Sequence, residues 1–167
     1  DSNSTILEKF YNDQKKYAFS FQTLVLVTMA KLLRETILQN PNAIIITERS
    51  IFSSKHIFVQ SLFDSNMITD VDYQIYNMLF DEIEQSLQHV VAAIIYIKAP
   101  VATCFNQIAK RNRKGEDNIS LNYLISCQEY HDTFFQNSHL PKVLCDNFTP
   151  QSVLHAIFDF LTPLVKF

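Results

Sequence analysis

Glu48, Arg49 and Ser50 set an acid, a base and a hydroxyl in a row, directly behind the apolar run Ala43-Ile44-Ile45-Ile46-Thr47. A carboxylate there can hold a metal ion, and a guanidinium can hold a phosphate or a polarised hydroxyl. A second concentration of charge is Lys110-Arg111-Asn112-Arg113-Lys114-Gly115-Glu116-Asp117. Arg111 and Arg113 offer planar donor forks suited to phosphate oxygens, and a bend at Gly115 lets a closing loop bring them onto an anion. Read alone, the same run is equally a solvated turn whose cations are balanced by Glu116 and Asp117. Gln22 is an amide set among Tyr17, Phe19 and Phe21. It is either a helix-surface residue or a group that pairs with a planar base through one donor and one acceptor. Phe58 is open to packing or to stacking on that base, and Tyr11 to burial or to donating to a sugar. His56, His131 and His139 have no carboxylate or thiol at telling spacing and receive no role.

The elements that must carry these residues alternate between helix and strand. Helical spacing runs from Tyr17 to Gln39 and stops at Asn40-Pro41-Asn42. Ala43–Thr47 reads as a strand buried on both faces, which puts Glu48 and Arg49 just beyond its carboxyl end, where parallel sheets bind ligands. Ser50 caps a helix carrying Ile51, Phe52, Ile57, Phe58, Leu62 and Phe63, and another helix starts after Thr69 or Asp70. A second buried strand, Val90–Ile97, leads through Pro100 into a helix that carries Cys104, Phe105 and Ile108 inward. Ser120 opens the next helix, Val143–Cys145 makes a third strand, and an amphipathic helix from Thr149 to about Leu161 closes the pattern. The fold class is α/β, a parallel sheet with helices on both sides, and residues 1–167 read as a single domain.

A hydrophobic content of 47% over 167 residues supports one sizeable core, and a formal charge of −3 gives no general attraction to nucleic acid or anionic membranes. Cys104, Cys127 and Cys145 lie far apart, without zinc or disulfide spacing, which points to a reducing, cytoplasmic setting. There is one glycine in the chain, and no Walker-type Gly-x-x-x-x-Gly-Lys-Ser/Thr run.

In order and spacing, these segments resemble the deoxynucleoside kinase family. Tyr11 with Lys15-Lys16-Tyr17-Ala18-Phe19-Ser20-Phe21-Gln22 is similar to its substrate-helix segment, and Thr47-Glu48-Arg49-Ser50-Ile51-Phe52-Ser53 with Phe58-Val59 to its Glu-Arg-Ser strand end. Met67 to Tyr73 and Ile94 to Pro100 resemble the connecting segments. Cys104 through Arg111-Asn112-Arg113 to Glu116, then Leu121-Asn122-Tyr123-Leu124, resembles the arginine lid. The resemblance implies a P-loop NTPase-like fold whose first strands and phosphate loop are not in residues 1–167, and phosphoryl transfer from ATP, with Mg²⁺, to the 5′-hydroxyl of a deoxynucleoside by a homodimer, for which residues 1–167 alone are expected to be incomplete. It implies that Gln22 pairs with the base, Phe58 stacks on it, and Tyr11 and Glu116 hold the 3′-hydroxyl. Arg49 then holds the 5′-hydroxyl region, Glu48 positions the metal, and Arg111 and Arg113 neutralise the transferred phosphoryl group. Val25, Met29 and Ser54 stand at base-pocket positions where purine- and cytosine-preferring relatives place charges, so thymidine or broad specificity is expected. Three departures bear on this expectation. The family's phosphate loop, first strand and catalytic base would precede Asp1; Gln107 stands where a further lid arginine is usual; and Tyr17 replaces a frequent tryptophan. A non-catalytic nucleoside-binding or dimer-partner relative, or a monophosphate kinase, would carry the same features.

Overall fold

A computed structural model describes residues 5–87, 91, 93–113, 116, 119–146 and 149–164. The elements in order are α1 (Ile6–Asn12), α2 (Gln14–Gln39), α3 (Ile51–Ser53), a π-helical segment (Ser54–Val59) and α4 (Gln60–Asp64). They continue with α5 (Asp70–Ser86), β1 (Ile94–Ile97), α6 (Val101–Arg111), α7 (Leu121–Asn137), β2 (Lys142–Cys145), α8 (Pro150–Leu161) and a 3₁₀ turn (Thr162–Leu164).

Side-chain oxygens start most of the helices, because the first backbone N–H groups of a helix have no partner within it. Thr5 and Glu8 form a reciprocal capping box on α1, and Asp13 accepts from the Lys16 N–H at the head of α2. Thr69, Ser120 and Thr149 do the same for α5, α7 and α8, with Pro150 in the first turn of the last. Helix α6 ends on Asn112 in the left-handed conformation (φ 47°, ψ 49°), a backbone state that Asn tolerates better than most residues.

The main core lies among helices. Phe10, Ala18, Leu26, Ala30, Ile51, Val59, Leu62, Tyr76 and Phe80 form one buried cluster joining α1, α2, the α3–π–α4 run and α5. At Ile94–Ile97 and Lys142–Cys145, β1 and β2 pair in parallel, with Ile94 opposite Lys142 and Ile97 opposite Cys145, and α6 and α7 make the crossover between them. The α/β class with a parallel sheet is therefore as the sequence predicts. Helix α7 covers the sheet at Tyr96, whose ring lies 5.9 Å from His131 and 5.5 Å from Phe135. Across the same contact Lys98 Nζ reaches Asp132 at 2.7 Å.

Three expectations need correcting. Ala43–Thr47 is not a buried strand: Ile44 and Ile46 are 56% and 64% exposed, and no strand among the described residues lies beside the run. An isolated extended segment has no neighbour for its alternating N–H and C=O groups, so β-branched composition alone does not make it a strand. The second strand is shorter than Val90–Ile97: the paired part is Ile94–Ile97, half-buried with Ile97 exposed, and Val90 lies outside the described residues. On α6, Cys104 and Ile108 are half-buried but Phe105 is 39% exposed, because no element covers that side of the helix. Among the described residues, no helix is long and apolar enough to cross a membrane.

Candidate functional site

The π-helical segment gives the site its shape. Ser50 starts it: its Oγ accepts from the Ser53 N–H at 3.3 Å, and Ser53 Oγ accepts from the Ser50 N–H at 2.9 Å. Past Ser53 the helix widens to the π form as far as Val59, a local underwinding that changes which side chains share a face. Ile57 and Val59 go into the core, while Ser54 faces α2 and places its Oγ 3.6 Å from the sulfur of Met29. Two of the expected base-pocket residues therefore touch. Gln22, Val25 and Met29 lie at i, i+3 and i+7 of α2, one stripe about 10 Å long. Gln22 is 96% buried by its residual exposure of 4%, and its amide has no hydrogen-bond partner among the described residues.

Arg49 enters from the other side. Its backbone is left-handed (φ 66°), a costly state for a residue with a Cβ, and the Thr47 hydroxyl donates to its carbonyl at 2.8 Å. In that turn the guanidinium lies 4.4 Å from the centre of the Phe58 ring. The contact shows that this ring accepts a flat group over it, and that in the structure the group is Arg49 itself.

Tyr11 leans on the Phe10 ring at 5.2 Å, and Phe10 stacks on Phe21 at 4.6 Å, so α1 packs against the head of α2. Burial raises the pKa of the Tyr11 hydroxyl above its ordinary value, and the charge of Glu116 adds to this, while Arg49 and Arg111 pull the other way. Those four groups therefore share one electrostatic environment. Arg111 and Glu116 meet in a fork: Nη2 lies 2.7 Å and 2.8 Å from the two carboxylate oxygens, and Nε lies 3.1 Å from one of them. Glu116 is 8% exposed and Arg111 44%, so the carboxylate is the buried partner. Its backbone N–H also donates to the Arg113 carbonyl at 3.1 Å, closing the turn after α6. Lys114, Gly115 and Asp117 of the basic run lie outside the described residues.

The structure thus gathers Tyr11, Arg49, Phe58, Arg111 and Glu116, and separately seats Met29 against Ser54 on the stripe shared by Gln22 and Val25. It does not draw in Glu48 or Arg113. Both are exposed, and neither side chain has an ion pair or hydrogen bond among the described residues. No group of three or more metal-ligating side chains forms among the described residues.

Sequence reasoning missed Tyr123, Cys127 and His131. Burial raises the pKa of the Tyr123 hydroxyl, with Cys127 and Tyr11 adding to the rise and Arg49 opposing it. Burial also raises the Cys127 thiol, against the lowering influence of Tyr123 and Arg49. These residues stand at i, i+4 and i+8 of α7, one face of the helix. That polar stripe was the available signal, and it was hidden beside the apolar stripe of Leu124, Tyr130 and Phe134.

Comparison with known sequences decides the family. The deoxynucleoside kinase profile matches residues 1–156, nearly the whole chain. The chain belongs to the deoxynucleoside kinase family. It is 28% identical over 174 residues to the probable deoxycytidine kinase of fowlpox virus, covering 96% of this chain and 74% of that protein. It is 34% identical over 122 residues to human mitochondrial thymidine kinase 2, covering 73% of this chain and 45% of that protein. The mitochondrial deoxyguanosine kinase of Xenopus laevis is 27% identical over 135 residues, 77% of this chain and 51% of its own length. The chain spans about half the length of the two mitochondrial relatives.

Proposed function

We propose that the protein binds a deoxynucleoside between α2 and the π segment and takes part in phosphoryl transfer from ATP to its 5′-hydroxyl. The observation that carries this is Gln22, a residue 4% exposed on the face of α2 shared with Met29, whose amide makes no hydrogen bond among the described residues. An amide left free in that way can give a base edge one donor and one acceptor. Phe58 stacks on the base, a role supported by the flat guanidinium already resting on its ring. Tyr11 and Glu116 hold the 3′-hydroxyl, and Arg49, lifted from Phe58 as the base arrives, turns to the 5′ end. Arg111 exchanges Glu116 for phosphate oxygens, and Arg113, exposed and unengaged, joins it there. Two cations placed on the transferred group stabilise charge that grows in the transition state.

Mg²⁺ needs only one or two carboxylates when phosphates and water complete its shell, and the exposed, unpartnered Glu48 fits that limited role. Residues 1–167 hold no Walker-type run, so the arginines described above supply only part of the hold on a triphosphate. The neutral pocket of Val25, Met29 and Ser54 supports thymidine or broad acceptance, because it presents no charge to select a purine or cytosine edge.

Calorimetric titration of thymidine, deoxycytidine, deoxyadenosine and deoxyguanosine into the chain, beside transfer assays with labelled ATP, tests the reading. Binding of at least one, thymidine included, is expected. A chain that binds none of the four sinks the proposal.

A further inference from the structure

His131 has no assigned part in this site, yet among the described residues it is the one side chain on α7 that touches both the π segment and the sheet by ring contact. Its ring meets Phe58 at 6.0 Å and 85°, and lies nearly parallel to Tyr96 of β1 at 5.9 Å and 19°. Its Nδ1 lies 2.6 Å from the Cys127 carbonyl oxygen. A carbonyl can only accept, so Nδ1 carries the proton and the imidazole is locked in one orientation. Tyr96 is anchored in turn, its hydroxyl donating to Asp132 at 3.0 Å, and Asp132 is held by Lys98. The contacts run in an unbroken line from the sheet to the ring that faces Arg49.

We propose that His131 is a positioning residue for nucleoside binding, fixing the Phe58 ring against the sheet so that the ring is ready for a base. The inference rests on the reading of Phe58 as the base-stacking wall. Among the described residues, the titratable and charged groups facing His131 are Arg49 ahead of α3, Tyr96 on β1 and Asp132 on its own helix, beside the Cys127 backbone carbonyl. Burial and Arg49 lower its pKa below 6.5, outweighing the Cys127 carbonyl and Asp132, so the ring is neutral at neutral pH. Acidification through that lowered value puts a cation between two rings and near Arg49. A charged imidazole seeks water, and the wall loosens.

The test is calorimetric titration of the four deoxynucleosides into the full chain at pH 7.5 and at steps downward until the fold is lost, for wild type, H131F and H131L, with melting curves for each. H131F keeps the two ring contacts and should bind within about threefold of wild type at pH 7.5. H131L should bind about tenfold more weakly, the scale of losing two aromatic contacts. Wild type should lose affinity as the pH is stepped down, and H131F should lose less. The inference is overturned if H131L binds like wild type, or if H131F shows the same acid loss. Should H131L fail to fold, the pH comparison between wild type and H131F still decides. A wild-type chain that binds none of the four overturns the nucleoside-site reading itself, an outcome distinct from normal wild-type binding unaffected by His131.

Discussion

Gln22 and Arg113 are opposite cases of a functional side chain. Gln22 is 4% exposed and its amide makes no hydrogen bond among the described residues, so it is free to pair with a ligand. Gln22→Leu keeps most of the volume and removes the unpaired amide. Thermal stability should hold or rise, while deoxynucleoside affinity should fall by about 1–3 kcal/mol, read by calorimetry. A loss of stability with affinity unchanged would make Gln22 a structural residue. Arg113 is exposed and touches nothing with its side chain among the described residues, so Arg113→Ala should move stability by no more than about 0.5 kcal/mol. In steady-state kinetics of a complete enzyme with ATP it should lower kcat while leaving KM for the nucleoside nearly unchanged, because its target charge develops only in the transition state. An effect confined to KM would remove it from the phosphate end.

At the scale of elements, the site depends on how the chain enters the π segment. Ser50 supplies the cap that starts it, and four residues later Ser54 begins the wider turns that aim Phe58. Ser50→Ala should cost about 1 kcal/mol, a fall in melting temperature of about 2–4 °C for a domain of this size, and should weaken nucleoside binding as Phe58 loses its fixed start. Melting curves and titration together check it; a loss of stability with binding intact would separate cap from site. Much of this element order is legible in the sequence, because caps such as Ser50, Thr69, Ser120 and Thr149 and the 3.6-residue stripes are local signals. The pairing partner of Ala43–Thr47 is not local, and composition could not report that Ile44 and Ile46 stay exposed. The π widening also escapes pattern reading, since one stripe of apolar residues fits both helix types over so few turns. Residues at the site were found where their type was unusual for its place, as with Gln22. Those on α7 were missed because Tyr123, Cys127 and His131 look like ordinary core neighbours until the fold brings Arg49 beside them.

For the whole molecule, proton binding links these local arrangements to stability. His131 has its pKa lowered in the folded state, chiefly by burial, so between that value and 6.5 the unfolded chain binds the proton that the folded chain refuses. Stability should therefore fall as pH drops below 6.5. Asp132 follows at lower pH: burial pushes its carboxyl up, but the hydrogen bonds from Lys98 and Tyr96 outweigh this and leave it below 3.8. Its contribution is present above 3.8 and is lost as pH falls through the lowered value. On the alkaline side the sign reverses. Tyr130, its hydroxyl donating to Asp64 at 2.6 Å across α4 and α7, is pushed up to about 12 by burial and by that bond. Tyr76, Tyr96 and Tyr123 are also raised, in each case mainly by burial. The unfolded chain ionises these phenols near 10 while the folded chain holds them neutral, so stability should decline above pH 10. Melting temperature from pH 4 to 11 should trace a plateau with shoulders near 6.5 and 10. Tyr130→Phe should lower the plateau slightly and shallow the alkaline limb, because it removes one of the phenols whose proton the fold retains. An alkaline limb identical in both proteins would show that the Tyr130–Asp64 contact does not persist in solution.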